Sequence, residues 1–120
     1  MTQSVRVALI GDYRASAVAH QAIPPAVQFA AKSLSLDVTA DWIATPEIHQ
    51  HDLADYAAIW VVPGSPYLND PGVFETIRWA REQHKPFLGS CGGFQYAVVE
   101  YARNALGWQD AAHAETDTQG

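Results

Sequence analysis

The chain predicts an α/β fold, a doubly wound and mainly parallel sheet with helices on both faces. Two short, nearly continuous apolar runs, residues 5–10 and 58–62, read as strands covered on both sides. Segments with apolar residues at helical spacing lie between the strand-like runs. Each of the better-defined strands ends in a turn built from small residues or proline: Gly11-Asp12, Pro63-Gly64-Ser65-Pro66 and Gly89-Ser90-Cys91. Ligands bind beyond the carboxyl ends of the strands in such sheets, so these turns would gather at one site.

Residues 5–10 (VRVALI) form the first strand of this reading. Pro24 and Pro25 can open a helix but not interrupt one, and Val27, Ala30, Ala31 and Leu34 follow at i, i+3, i+4 and i+7. A first helix is therefore expected from the proline pair onward. Leu36, Val38, Ala40 and Trp42 alternate with polar residues, which predicts a half-exposed second strand before a polar loop over 45–52. The third strand is 58–62. Asp70 is placed to cap a helix over 71–84 with Pro71 in its first turn, and Lys85-Pro86 ends it. Residues 87–89 make the fourth strand. Beyond them Phe94, Ala97, Val98 and Tyr101 mark the packed face of a last helix, which Gly107 is placed to stop. The four tryptophans, Trp42, Trp60, Trp79 and Trp108, read as core aromatics.

The whole chain is 120 residues and 48% hydrophobic, enough for one core. Residues 1–110 are expected to form the domain and 111–120 a polar tail or a loop cut short. A doubly wound sheet stopped after a fourth strand leaves one edge and part of a helix face uncovered, so the fold is expected to lack its C-terminal part. The formal net charge of −6, with seven Lys and Arg scattered singly, supplies no basic stripe for nucleic acid. No apolar segment is long enough to cross a bilayer, and no signal peptide is read at the start, so no membrane partner is expected. A single cysteine excludes an internal disulfide and fits a reducing, cytoplasmic setting.

That cysteine is the most informative residue. Phe87-Leu88-Gly89-Ser90-Cys91-Gly92-Gly93-Phe94-Gln95 runs from an apolar strand through a glycine-flanked turn into a helix. The spacing describes a nucleophile elbow, in which small residues let the backbone bend sharply and the helix N-terminus aims its unpaired N–H groups at the sulfur. Lone cysteines are more often small buried hydrophobes, but a buried cysteine has no need of three glycines within four positions. Cys91 is therefore read as a nucleophile.

Val62-Pro63-Gly64-Ser65-Pro66 followed by Phe87-Leu88-Gly89-Ser90-Cys91-Gly92-Gly93-Phe94-Gln95 resembles the paired motifs of class I glutamine amidotransferases, above all the glutaminase domain of CTP synthase and its stand-alone relatives. The opening Ala8-Leu9-Ile10-Gly11-Asp12-Tyr13, with His20 and Ala22-Ile23-Pro24 after it, is similar to the start of that domain. The resemblance covers most of residues 5–110 and implies a flavodoxin-like fold. It also implies that Cys91 attacks the side-chain amide of glutamine, forms a thioester and releases ammonia for an acceptor reaction. Backbone N–H groups of Gly64 and Gly92 would hold the oxyanion, with Ser65, Gly93 and Gln95 beside the substrate. No cofactor is implied; a synthetase or a second copy of the chain would be the partner. Two positions depart from the pattern: Gly92 stands where a bulky apolar residue is common, and Pro-Gly-Ser stands where Pro-Gly-Gly is frequent.

The family's His-x-Glu pair lies well downstream of the cysteine. His113-Ala114-Glu115 has the right letters only 22 residues after Cys91, and is read as a decoy. His49 and His51 fall in the polar loop, His84 at a helix end and His20 ahead of the first helix; none makes a metal site, and no metal is expected. Asp12, Tyr13 and His20 stand near the end of the first strand, either lining the pocket or capping loops. Two other functions fit the same elbow: a cysteine-dependent hydrolase or hydratase acting on another small molecule, and a non-catalytic regulatory or binding subunit that kept the scaffold.

Overall fold

The computed structural model describes residues 3–114. In order they form β1 (Gln3–Ile10), α1 (Val18–Ser33), β2 (Leu36–Ile43), two short 3-10 helices (Thr45–Gln50 and Leu53–Asp55), β3 (Ala58–Val61), α2 (Asp70–Glu82), β4 (Phe87–Gly89) and α3 (Gly92–Asn104). The four strands form one parallel sheet in the order β2-β1-β3-β4. The chain leaves β1 for one side and returns on the other, so the direction of winding switches between β1 and β3.

The pleat of each strand sends alternate residues to opposite layers. Ala8, Ile10, Ile59 and Val61 join Val73, Ile77 and Ala80 of α2 and Tyr96 of α3 in the larger core. Leu9 and Val62 face the other way, onto Ile23, with Val7, Val27, Trp42 and Trp60 around them. Two helices thus cover one face and α1 covers the other, as the alternation of elements predicts. A single helix does not span its face: an apolar groove lined by Val7, Leu34, Val38, Trp60 and Leu88 stays open beside α1. On the opposite side of the sheet α3 presents Phe94, Val98 and Tyr101, each at least half exposed.

Several local expectations change. α1 starts at Val18, so Pro24 and Pro25 lie inside the helix and not at its head. Both prolines are exposed, and they cost the helix only the two N–H donors that His20 and Gln21 carbonyls would have accepted. The packed stripe runs through His20, Ile23, Val27 and Ala31, while Leu34 is 67% exposed. Asn69, one residue before the expected cap, accepts from the Gly72 N–H at 3.1 Å and caps α2. Asp70 instead ties the Tyr67 N–H to the Tyr96 hydroxyl. In α3 the buried positions are Gly92, Gly93, Tyr96, Val99 and Glu100; of the expected 94, 97, 98 and 101 only Ala97 packs against the core, and the other three are exposed. Trp108 is 64% exposed and is not a core residue.

Glu100 couples α3 to α2. Its carboxylate, 1% exposed, accepts two hydrogen bonds from the Arg81 guanidinium, both at 2.9 Å, and one from Asn104 at 3.0 Å. Burial pushes the carboxyl upward, but the Arg81 and Asn104 bonds together outweigh it and hold the group below its usual range. A carboxyl depressed in the folded state adds stability above its unfolded value of 4.5 and loses it as pH falls through the folded value. Replacing Arg81 by leucine removes the opposing charge and leaves the burial, which reverses the sign. Urea titrations should then show wild type weakening below about pH 4.5 and Arg81→Leu losing about 2–4 kcal/mol at neutral pH, part of it regained on acidification. Equal pH slopes in the two proteins would exclude this account.

Candidate active site

Three turns meet at the carboxyl end of the sheet, beyond β1, β3 and β4. The elbow is the sharpest. Cys91 precedes α3 with φ 50° and ψ −115°, a backbone region that side-chain-bearing residues rarely occupy and that costs about 1–3 kcal/mol. The bend is held on both sides: the Ser90 N–H donates to the Val61 carbonyl, and the Gly93 and Gln95 N–H groups donate to Ser90 and Cys91 carbonyls. The Trp60 indole N–H donates to the Ser90 hydroxyl at 2.9 Å. Cys91 itself is exposed.

Close approach explains two of the glycines. A Cβ on Gly93 would lie 2.1 Å from the Val61 carbonyl oxygen, and one on Gly89 would lie 2.7 Å from the Gly93 carbonyl. Strand and helix are therefore in backbone contact on either side of Cys91.

The second turn, 62–67, comes from the end of β3. Gly64 sits at φ 127°, open to glycine alone, and the Ser65–Pro66 peptide is cis. The Tyr67 hydroxyl donates to the Val62 carbonyl at 2.6 Å and closes the turn on itself. Burial, then the neighbouring Tyr96, Cys91 and Asp70, raise the Tyr67 phenol above its ordinary range, which keeps it a donor. The turn touches the elbow directly: a Cβ on Gly92 would fall 2.8 Å from both Cβ and Oγ of Ser65 and 3.1 Å from the Tyr67 hydroxyl. Ser65 thus occupies the space that a larger residue at 92 would need, so the two departures from the family pattern are sterically matched. Among the described residues, the N–H groups of Gly64 and Gly92 donate to no protein acceptor.

The third turn, after β1, braces the second. Asp12 accepts from the Thr45 N–H and hydroxyl and from the Leu68 N–H, all within 3.0 Å. Loop capping is the reading that fits Asp12. Loop capping fits His20 as well, but a position ahead of the helix does not: it lies in the first turn of α1, 1% exposed, with its ring against Tyr13 and Trp42. One nitrogen meets the Pro63 carbonyl and the other the Arg14 N–H. Sequence reasoning passed over this role because the proline pair displaced the expected helix start. Spacing could have revealed it, since 20, 23, 27 and 31 share one helical face.

Gln95 lies on the first turn of α3 and its side-chain oxygen is 2.7 Å from Nε2 of His113. Residues 111–114 therefore fold back on α3, where Ala111 also accepts from the Arg103 guanidinium at 2.5 Å. His113 is buried against the Tyr96 ring at the elbow's helix, without being bonded to Cys91. Glu115 lies outside the described residues. No group of three or more His, Cys, Asp or Glu placed to hold a metal occurs among the described residues, and none of their helices is long and apolar enough to cross a membrane.

Comparison with known proteins gives the family. Residues 22–119 match the family model for class I glutamine amidotransferases. The chain is 38% identical over 114 residues to a CTP synthase of Methanoculleus marisnigri, which takes in 95% of this chain and 21% of the relative. It is 40% identical over 119 residues to a CTP synthase of Halobacterium salinarum, covering 97% of this chain and again 21% of the relative. A solved structure described as the Trypanosoma brucei CTPS glutaminase domain with bound acivicin superposes with a TM-score of 0.82 at 24% identity, over 96% of this chain and 47% of that one. The chain thus spans about a fifth of the length of these CTP synthases and just under half of the glutaminase domain. With an exposed cysteine held on a strained elbow, a glycine turn pressed against it and this extent of sequence agreement, the chain belongs to the class I glutamine amidotransferases.

Proposed function

We propose that this chain carries the nucleophile and oxyanion site of a glutaminase that supplies ammonia to an acceptor reaction. One observation carries the reading: the 62–67 turn is in contact with Gly92, the residue after an exposed Cys91, and among the described residues the Gly64 and Gly92 N–H groups donate to no protein acceptor. In this reading Sγ of Cys91 attacks the side-chain amide carbon of glutamine. The carbonyl electron pair moves to oxygen, where the Gly64 and Gly92 N–H groups receive it, and the C–N bond breaks as the nitrogen takes up a proton. Water then attacks the thioester, giving glutamate and the free thiol. Gln95 and Ser65 line the substrate side of this site, whereas Gly93, expected there too, is buried against the Val61 carbonyl and seats α3 on the sheet.

Proton transfer is assigned to groups beyond residues 3–114, because the histidines near the site are bonded elsewhere: His20 to the Pro63 carbonyl and His113 to Gln95. A synthetase or a second copy of the chain is the proposed partner, and the exposed stripe of Phe94, Val98 and Tyr101 is apolar enough to serve such contact.

The test combines turnover with labelling. Glutamine should be converted to glutamate and ammonia in equal amounts, and acivicin should add covalently to Cys91, located by peptide mass spectrometry, with glutamine protecting against it. Labelling without turnover would favour the non-catalytic binding subunit. Absence of both would overturn the proposal and leave the hydrolase or hydratase reading to be tested on other substrates.

A further inference from the structure

We propose that His20 is a positioning residue for the oxyanion site: it sets the orientation of the Pro63–Gly64 peptide and so aims the Gly64 N–H. The inference rests on the assignment of Gly64 made above. His20 is 1% exposed, and both ring nitrogens are engaged. The Arg14 N–H donates to Nδ1 at 2.9 Å. A nitrogen that accepts carries no proton, so the imidazole proton sits on Nε2 and is donated to the Pro63 carbonyl at 2.6 Å.

That bond fixes more than one atom. The Pro63–Gly64 peptide is planar and trans, since Ser65–Pro66 is the cis bond found among the described residues. In a trans peptide the C=O and the N–H point in opposite directions, so holding the Pro63 oxygen toward His20 turns the Gly64 N–H to the other side. Gly64 needs such a restraint: at φ 127° a glycine has wide freedom to rotate this peptide, and among the described residues no group accepts its N–H. The ring is itself packed between aromatic neighbours. Tyr13 stacks on it at 5.9 Å, Trp42 lies at 5.0 Å, and the Trp42 indole N–H is tied to the Gly11 carbonyl at 2.9 Å. A Cβ on Gly64 would come within 3.4 Å of Nε2, so the ring and the turn are in van der Waals contact. Through this residue α1 orients a donor of the site.

The experiment separates positioning from general stability by using two reactions of the same sulfur. Displacement of iodide from iodoacetamide by Cys91 develops no oxyanion, whereas attack on glutamine does. His20→Phe keeps the ring volume and loses both hydrogen bonds; His20→Gln keeps a donor that reaches the Pro63 oxygen. The full chain with His20→Phe should be alkylated within about twofold of the wild-type rate, yet lose about 10²-fold in kcat with KM little changed. His20→Gln should recover at least tenfold of that loss. Nitrogen-15 spectra of the wild type should show the proton on Nε2, and the Gly64 amide resonance should move in His20→Phe. Turnover by His20→Phe within threefold of wild type would overturn the inference, as would parallel loss of alkylation and turnover, or a proton on Nδ1. If the wild type turns over no glutamine, the glutaminase reading fails by itself. The spectra then decide alone: a Gly64 amide unmoved by His20→Phe would reject the positioning role.

Discussion

Serine at position 91 is expected to lower glutamine turnover by about 10⁴-fold or more, and glycine there to abolish it while making the protein more stable. The two substitutions separate chemistry from conformation. A serine hydroxyl is a weak nucleophile without an adjacent base, and no histidine among the described residues is bonded at position 91 to act as one. Serine keeps the backbone strain, so its unfolding midpoint should match wild type. Glycine occupies φ 50°, ψ −115° without the Cβ conflict, recovering about 1–3 kcal/mol, against which stands about 0.5–1 kcal/mol for its freer unfolded chain. A net gain of about 1 kcal/mol should appear in urea titration. Loss of stability in Cys91→Gly would mean that the elbow is not strained, and wild-type turnover by Cys91→Ser would remove the cysteine from the mechanism.

The largest structural effect is expected at Gly93. Alanine there places Cβ 2.1 Å from the Val61 carbonyl oxygen and 2.8 Å from its carbon, both backbone atoms of a central strand that cannot turn aside. α3 must lift from β3, which loosens Tyr96 from the core and opens the elbow. The cost should be about 3 kcal/mol or more, with turnover lost alongside. Gly107→Ala is the matching control. Its φ of 77° disfavours alanine, but among the described residues beyond its chain neighbours no atom lies within 4 Å of the added carbon, so it should cost about 1–2 kcal/mol and spare the site. Equal destabilisation by the two substitutions would refute the close-contact explanation.

The elbow was legible because its constraint is local. A sharp bend between strand and helix needs small residues within a few positions, and Gly89, Gly92 and Gly93 record that need in the chain itself. The strands were legible for a related reason, since a doubly covered strand must be apolar on both faces, as in Ala58–Val61. The first helix starts ahead of the proline pair that the sequence makes its boundary. Prolines at 24 and 25 are tolerated on the exposed side of α1, where packing through His20, Ile23 and Val27 outweighs the two lost donors. The face of α3 was misjudged for a different cause. Phe94, Val98 and Tyr101 have the spacing of a core stripe, but the sheet lies against Gly93, Tyr96 and Ala97, because backbone contact at Gly93 sets the rotation of the helix.

The amino-acid sequence by itself determined the parallel α/β layering, the position of the elbow at Cys91 and the turns that surround it, since each follows from hydrophobic period or from steric demands among near neighbours. Tertiary structure alone decided which distant groups meet: Ser65 against Gly92, His113 on Gln95, Arg81 with Glu100, and His20 on the carbonyl of Pro63. Those pairings depend on strand order and helix rotation. Many chain paths share the same local preferences, and only close packing of the layers selects among them.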